Sequence, residues 1–362
     1  MKLTMSIIIA LSLIVIGGLG LWGYGFFFAP ESVEAITAKW EISGHADAES
    51  VSFTRWADDD PPEIPITCAR CHSMDGYLDF LGADGSTAGV VDQPVLGVSI
   101  LSCRTCHNAP AHEITEVTFP SGNVAEEQTR AVNCMQCHQG RQSTPGVDER
   151  LTGLEPDVVN EELGFLNVHY AVGAATLLGG DAEVGYQYPG KSYVGRFAHV
   201  EDYNTCIDCH DPHSTFRNPD QCSPCHLNVV TQADLRDIRV SGVDYDGDGD
   251  VDKPIREEVA TLHNALHRAI QDYAADVVGE PIVYDRDTFP YFFDPTADEL
   301  TFANRYATWT PRLVRATYNY RYVHADPGAY VHNARYVLQL LYDSLEDLGQ
   351  AVPVEMDSFV RP

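Results

Sequence analysis

The chain has 362 residues, of which 44% are hydrophobic, so it is long enough for one large folded domain or two ordinary ones. It has 53 acidic and 23 basic residues, which gives a formal net charge of −30. A surface this negative repels nucleic-acid phosphates and anionic lipid headgroups. These numbers exclude nucleic acid as a partner, and the hydrophobic content excludes wholesale disorder.

Residues 1–35 have the pattern of a membrane signal. The stretch Met5–Phe28 is uncharged and mostly apolar. As a helix rising about 1.5 Å per residue it spans roughly 36 Å, enough to cross a bilayer core. This length favours an uncleaved transmembrane anchor, whereas the small residues of Val33-Glu34-Ala35 also fit a cleaved signal peptide. In either case we expect the rest of the chain to be exported, to the outer face of the membrane, the cell surface or the medium.

All ten cysteines belong to five Cys-x-x-Cys-His motifs. The motifs are Cys68/Cys71/His72, Cys103/Cys106/His107, Cys134/Cys137/His138, Cys206/Cys209/His210 and Cys222/Cys225/His226. Two intervening residues let both sulfurs reach the two vinyl groups of one haem, and the next residue places an imidazole on the iron. Zinc knuckles, disulfides and redox dithiols do not require histidine at that one offset every time. The motifs therefore predict five haem c groups.

Histidine is the expected second ligand of each iron. Fourteen histidines occur, so nine lie outside the motifs, whereas the chain has only five methionines. We therefore expect bis-histidine irons of low potential. His213 follows His210 too closely to reach the far face of its own haem, but it is well placed for a neighbouring one. The predicted distal ligands are His45, His169, His199, His213 and His332, with His112 and His324 in reserve; His263 and His267 are expected to be ordinary surface or core residues.

The fold class follows from the distribution of turn residues and apolar periodicity. Residues 36–240 are punctuated by Gly, Pro, Asp and Asn, which predicts a pentahaem domain of loops and short α-helices wrapped around five stacked haems, with little β-structure. Residues 256–362 have helical periodicity and predict a C-terminal helical unit. Within it, Thr310-Pro311 and Asp326-Pro327 resemble helix starts, and Gly349 resembles a helix stop.

Residues 241–255 form an Asp-rich loop between these two parts. Asp244, Asp246, Asp248, Asp250 and Asp252 alternate with other residues, and Gly249 occupies the sixth position, as in an EF-hand-type loop. Ile255 stands where a bidentate Glu is usual, so Glu257 or Glu258 would have to replace it. Alternating carboxylates repel one another without a cation, so the loop predicts a Ca²⁺ site; a solvated acidic turn is the alternative.

Several stretches resemble a family of membrane-associated or extracellular multihaem c-type cytochromes. They are Cys134–Arg141, Asn167–Tyr170, Gly185–Tyr188, Cys209–His213, the Asp-Gly loop and Asp326–Asn333. The resemblance covers most of residues 45 to 350, and it implies electron transfer in or beyond the cell envelope, including to extracellular acceptors. The chain is also similar to filament-forming cytochromes, in which a histidine near one terminus ligates a haem of the next subunit. This similarity suggests such a role for His45.

The expected function is electron transport without a catalytic residue. The expected partners are other redox proteins, copies of the chain itself, or an envelope or extracellular acceptor, with the N-terminal segment contacting the membrane if it is uncleaved. One alternative is a pentahaem nitrite-reductase-like enzyme, although that family usually has a Cys-x-x-Cys-Lys motif, which is absent here. The other alternative is a membrane-anchored quinol dehydrogenase, which the N-terminal apolar segment supports.

Overall fold

The computed structural model describes residues 31–362 apart from residues 202, 297 and 298. The predicted membrane signal therefore lies almost entirely outside the described residues. Within them, no helix combines the length and the apolar character that crossing a bilayer requires. The described chain consists mostly of helices and loops with little sheet, as the sequence predicts.

Before the Asp-rich loop, the described residues contain eleven short α-helices. They are α1 (Val33–Glu41), α2 (Val51–Thr54), α3 (Ile66–His72), α4 (Met74–Phe80), α5 (Cys103–Cys106), α6 (Ala109–Glu113), α7 (Ala131–Met135), α8 (Thr144–Leu151), α9 (Gly173–Leu178), α10 (Cys206–Cys209) and α11 (Pro219–Cys222). Local polar caps start many of them: the side chain of Ser73 accepts a hydrogen bond from the Gly76 amide at 3.0 Å, and Asn218 precedes the first-turn Pro219. Each motif overlaps one of these helices, although α7 ends within the third motif and α11 ends at the first cysteine of the fifth.

Three long helices form the C-terminal unit. They are α12 (Ile255–Tyr273), α13 (Pro311–Ala325) and α14 (Ala329–Leu348). Helix α12 buries Val259, Leu262, Leu266, Ile270 and Tyr273, the residues whose spacing predicts its inner face. Thr310 caps α13 by accepting a hydrogen bond from the Leu313 amide at 3.2 Å, and α14 ends before Gly349, both as predicted.

The predicted helix start at Asp326-Pro327 is wrong. Asp326 ends α13, and α14 begins only at Ala329. The helix α14 is also broken at Asn333, whose φ of −167° and ψ of 79° are not helical. The Asn333 side chain accepts a hydrogen bond from the Tyr336 amide at 3.1 Å and so caps the longer second segment. His332 consequently lies at the end of an isolated first turn.

The strands are short and form three antiparallel two-stranded ribbons. They pair β1 (Glu63–Ile64) with β2 (Val95–Leu96), β3 (Glu116–Thr118) with β4 (Val124–Glu126), and β5 (Val283–Tyr284) with β6 (Phe292–Phe293). The register places Val117 opposite Ala125 in the second ribbon and Tyr284 opposite Phe292 in the third. These ribbons fix loops and do not form a separate layer.

One large apolar core joins α12, α13 and α14 to the chain between Val117 and Tyr188. Polar contacts reinforce this packing: Asn319 of α13 accepts a hydrogen bond from the Tyr186 amide at 2.8 Å and donates one to the Tyr186 carbonyl at 3.0 Å. The C-terminal helices therefore hold the loops that carry the third motif and His169 in a fixed position.

Candidate functional site

The helical turn within each motif sets the direction of its cysteines. In four motifs the backbone amide of the histidine donates to the carbonyl of the first cysteine, at distances between 2.8 and 3.0 Å; the motifs concerned end at His107, His138, His210 and His226. The first motif lies wholly inside α3. Side chains three residues apart share one face of such a turn, so both sulfurs point toward one side. All ten cysteines are free thiols, so none of them is engaged in a disulfide.

Each motif histidine faces a histidine from outside the motifs. The ring-centroid separations are 5.8 Å for His72 and His169, 6.3 Å for His107 and His213, 6.3 Å for His138 and His45, 6.4 Å for His210 and His332, and 6.1 Å for His226 and His199. The five partners are the five histidines that the sequence predicts as distal ligands. For His72 and His169 the two Nε2 atoms lie 3.5 Å apart.

These separations match the space that one metal ion requires between two imidazoles. Two metal–nitrogen bonds of about 2.0 Å each put the Nε2 atoms about 4 Å apart and the ring centres slightly over 6 Å apart. Rings in direct contact approach more closely, as the 4.4 Å between the edge-to-face rings of His263 and His324 illustrates. The separations of 6.1 to 6.4 Å in four pairs fit one metal ion between the two imidazoles, and His72 and His169 lie slightly closer together than that.

His107 has a second histidine neighbour. Its ring lies 6.2 Å from the ring of His112, at an interplanar angle of 72°, and 6.3 Å from that of His213, at 9°. Two imidazoles that bind one iron can be rotated to any angle about their common axis. The two interplanar angles therefore do not decide whether His112 or His213 is the partner of His107. The structure thus brings the reserve candidate His112 to the second motif.

The second ring nitrogen orients several of these imidazoles. The Nδ1 atoms of His72, His138 and His210 donate to the carbonyl oxygens of Ser52, Ala171 and Thr215, at 2.7, 3.1 and 3.0 Å respectively. His332 uses a carboxylate instead, because its Nδ1 lies 2.7 Å from Oδ2 of Asp326. Metal-binding histidines are usually held in this way, since the bond at Nδ1 leaves Nε2 free for the metal.

Burial keeps two of these imidazoles in the neutral form that binds metal. It lowers the pKa of His138 to about 4, with a further contribution from His45, and it lowers the pKa of His169 to about 4, with a contribution from His72. His332 differs: burial would lower its pKa, but the charge and hydrogen bond of Asp326 raise it above the ordinary value.

Three further histidines form a separate cluster in the C-terminal unit. The Nε2 of His263 donates to the Tyr320 carbonyl at 2.9 Å, its ring lies 4.4 Å from that of His324, and His267 stacks on Tyr320. His324 Nδ1 contacts the Tyr284 hydroxyl at 2.9 Å. The structure places the reserve candidate His324 in this cluster and not beside a motif histidine. His263 has the ordinary structural role that its sequence context suggests.

Thiols of different motifs also lie close together. The Cys71 thiol lies near the Cys137 thiol, and the Cys134 thiol lies near the Cys206 thiol. The Cys71 and Cys137 sulfurs also lie 3.9 and 3.8 Å from the backbone carbonyls of Gln136 and Arg70, respectively. The third motif therefore lies between the first and the fourth.

Part of the predicted calcium loop converges on one point. Carboxylate oxygens of Asp244, Asp246 and Glu258 lie within 4.8 Å of one another. Asp244 accepts hydrogen bonds from the amides of Gly247 and Gly249, at 2.6 and 2.7 Å, which is how the first residue of such a loop closes its turn. Asp248 and Asp246 bind the Lys253 ammonium, and Asp250 and Asp252 lie in the exposed turn beyond.

Comparison with known proteins finds polyhaem cytochromes. The C-type polyheme cytochrome OmcB of Geobacter sulfurreducens is 25% identical to the chain over 354 aligned residues, which cover 79% of the chain and 44% of OmcB. The C-type polyheme cytochrome OmcC of the same organism is 24% identical over 380 residues, covering 86% of the chain and 46% of OmcC. The predicted kinship with multihaem c-type cytochromes is confirmed.

The chain spans less than half the length of the polyhaem cytochromes that it matches. No family model matches the chain, and no solved structure matches it either. The relatives thus support haem c as the cofactor and electron transfer as the general role.

The sequence did not reveal three residues around His332. They are Asp326, which bonds its Nδ1, and Gly173 and Gly328, on which a Cβ atom would lie 3.0 and 2.7 Å from His332 Cε1. A glycine close to a candidate ligand is a weak signal, because the chain has 28 glycines. Asp326 precedes a proline, so its sequence context indicates a helix cap and not a partner for His332.

Proposed function

We propose that the chain binds five haem c groups and passes single electrons along them. Each haem would be attached to the two cysteines of one motif, and its iron would lie between the motif histidine and its partner from outside the motif. The observation that carries this proposal is the set of five facing imidazole pairs, each with one motif histidine. Each haem, when bound, supplies a one-electron iron couple.

The facing pairs favour a carrier over an enzyme. An iron held by two imidazoles offers no free position to nitrite, hydroxylamine or another substrate, so its redox change makes and breaks no substrate bond. The protein's contribution is to hold each imidazole pair, to orient the rings through Nδ1, and to set each potential through burial and charge. The formal charge of −30 favours the ferric state and a basic docking partner.

The thiol positions support a stacked arrangement of haems. If each sulfur carries the edge of its own porphyrin, the proximity of Cys71 to Cys137 and of Cys134 to Cys206 puts the first, third and fourth haems in one row. The fifth motif follows the fourth closely in sequence, and His213, just beyond the fourth motif, faces His107 of the second. We infer that electrons reach every haem through edges in close contact.

The proposed setting is respiratory electron transport in the cell envelope or outside the cell. Covalent attachment of haem c is completed outside the cytoplasm, and the apolar stretch Met5–Phe28 provides for export or anchoring. The partners that suit this setting are other redox proteins, further copies of the chain, and an extracellular acceptor. Since His45 faces His138 of its own chain, filament formation would have to use another contact.

Intact mass and spectroscopy test the proposal. The chain expressed with c-type maturation machinery should exceed its polypeptide mass by five haems and show low-spin iron in both redox states. A variant with Cys222→Ala and Cys225→Ala is the matched control, because it should lose one haem and keep four. Fewer than five haems in the unchanged chain, or an iron that binds nitrite or hydroxylamine, would contradict the proposal.

We propose calcium as a second cofactor, held by Asp244, Asp246 and Glu258. The support is the convergence of these three carboxylates and the loop closure at Asp244. Added Ca²⁺ should raise the Tm of the purified protein, and Asp244→Asn should abolish the rise. Asp252→Asn, in the exposed part of the loop, should keep it. A Tm that does not respond to Ca²⁺ would contradict this proposal and mean that the cations already present, Lys253 beside Asp246 and Arg239 beside Glu258, neutralise the loop.

A further inference from the structure

One candidate ligand pair differs electrostatically from the others. Asp326 accepts a hydrogen bond from Nδ1 of His332, with distances of 2.7 Å to Oδ2 and 3.0 Å to Oδ1. The carboxylate is only 3% exposed. Among the candidate iron ligands within the described ranges, the other Nδ1 bonds go to neutral backbone carbonyls. A buried negative charge is thus directed at one imidazole of the five pairs.

The surrounding backbone fixes this contact. The Gly328 amide donates to Oδ1 of Asp326 at 3.0 Å, which holds the carboxylate in the turn between α13 and α14. Gly173 and Gly328 leave room for the His332 ring only because they lack side chains, since a Cβ atom on either would crowd its Cε1. The break at Asn333 ends the first turn of α14 directly after His332. These contacts hold the Asp326 carboxylate and the His332 ring next to each other.

We propose that Asp326 is a positioning residue that gives the haem of the fourth motif the lowest reduction potential of the five. The inference rests on the proposed function, because it requires His332 to ligate that haem opposite His210. A carboxylate on Nδ1–H draws the proton toward itself and makes the imidazole a stronger electron donor, which stabilises ferric iron. The buried charge acts in the same direction and is weakly screened.

The potential of this haem influences the whole row. The proximity of the Cys134 and Cys206 thiols puts the fourth haem beside the third, and its motif precedes the fifth. A haem that is hardest to reduce would fill last and lie between more easily reduced neighbours. Electron transfer onto it from either neighbour would therefore be uphill, so its potential would limit flow between the two ends of the row.

The variant Asp326→Asn tests this inference. Its amide oxygen still accepts the Nδ1 hydrogen bond, but the charge is gone. In a spectroelectrochemical titration, the lowest of the five one-electron steps should rise by at least the 59 mV that corresponds to a tenfold change in a one-electron equilibrium. The electron paramagnetic resonance signal of one low-spin haem should change as well. The control is Asp343→Asn, because Asp343 is equally buried on α14 but bonds Arg361 and Tyr193.

Three results would overturn the inference: unchanged potentials in Asp326→Asn, an equal shift of all five, or the same shift in Asp343→Asn. Haem count and spin state in the same samples report separately on the proposed function. If Asp326→Asn takes up fewer than five haems, infrared difference spectra of the unchanged protein decide. A carboxylate band should change with the last electron to enter, and its absence from that step would also overturn the inference.

Discussion

At the scale of single residues, His107 is the motif histidine with two possible partners. His112 follows it by five residues on α6, whereas His213 comes from the loop after the fourth motif. A histidine so close in sequence is poorly placed to reach the far face of the same haem. We expect His213→Ala to convert one of the five haems from low-spin to high-spin or five-coordinate iron, as measured by near-infrared magnetic circular dichroism.

His112→Ala is the matched control, since it removes the other neighbour by the same chemical change. It should leave five low-spin haems and shift Tm by less than His213→Ala does. If His112→Ala instead produces the high-spin haem and His213→Ala leaves five low-spin haems, His112 is the ligand and the pairing in the second motif must be revised.

Gly328 provides a second prediction at this scale. A Cβ atom there would lie 2.7 Å from Cε1 of His332, closer than real contacts allow, so Gly328→Ala must push the imidazole away. Overpacking of this kind costs about 1 to 3 kcal/mol of unfolding free energy. We expect this loss in guanidinium unfolding, together with a partial high-spin signal from one haem.

Gly242→Ala is the control for this substitution, because a Cβ atom on Gly242 meets nothing within 4 Å. It should change the free energy of unfolding by less than 0.5 kcal/mol, which is typical of surface sites. A Gly328→Ala protein with wild-type stability and spectra would show that His332 is not confined as described.

At the scale of secondary-structure elements, the long helices were predictable and their irregularities were not. The apolar spacing of α12 and the Thr310-Pro311 start of α13 are local patterns, and the structure confirms them. The break at Asn333 depends on the Gly195 carbonyl, which bonds the Asn333 side chain from a distant loop at 3.0 Å. No local pattern contains that information. The predicted start at Asp326-Pro327 is displaced, since Gly328 and not Asp326 precedes the first residue of α14, and the contact between Asp326 and His332 has no local sequence signal either.

The packing of α12 against α13 predicts a pH dependence. Burial lowers the pKa of His263 to about 4 and that of His324 to about 3, with a contribution from His263 in the second case. In the unfolded chain both pKa values return to about 6.5, so below that pH the unfolded state binds protons first. The free energy of unfolding should therefore fall as pH decreases from about 6.5 toward 4. Guanidinium titrations across this range measure it.

His263→Gln should flatten this fall by about 1 to 3 kcal/mol over the same range, because glutamine takes up no proton. At pH 7.5 His263 is neutral, so the difference in unfolding free energy between the two proteins at this pH measures the effect of the substitution apart from proton uptake. Equal pH slopes for both proteins would mean that other groups cause the acid sensitivity.

At the scale of the whole molecule, the apolar core is unevenly distributed. The large core uses residues from Val117 to Val352, whereas the earlier described residues contribute a small cluster of Tyr77, Leu81 and Ala111. The first two motifs lie in this thinly packed part. A haem is itself a large apolar body, so we expect it to replace the missing core there. The sequence predicts that the chain wraps haems in place of a separate core, but only the structure shows which residues form the apolar core.

Removal of haem should therefore unfold the molecule unevenly. When the chain is produced without maturation machinery, limited proteolysis should cut residues 36–115 first and leave a fragment that contains α12, α13 and α14. Mass spectrometry of the fragments over time measures the order of cutting. The haem-loaded protein is the control and should resist cleavage in both parts. Cutting first within the C-terminal helices would contradict this picture.

The five motifs were predictable because each is contiguous in sequence, and they account for half of each proposed iron site. The structure places the five candidate histidines beside motif histidines, and their ligand role stays a prediction. Their pairing was not predictable, because His169 reaches His72 and His45 reaches His138 through loops without regular periodicity. The carbonyls that orient the rings, such as that of Ser52, belong to the backbone, so the residue types in the sequence do not reveal them.

The position of His332 in α14 has a consequence for biogenesis. Under the proposed export, which would start from the N-terminus, the fourth motif would reach the attachment machinery long before His332 does. His45, in contrast, has already emerged when the third motif arrives. The third haem can thus be capped during translocation, whereas the fourth must wait until the last helices have been exported. The last step of maturation would then be the packing of Asp326 and His332 against a haem that was attached to the chain much earlier.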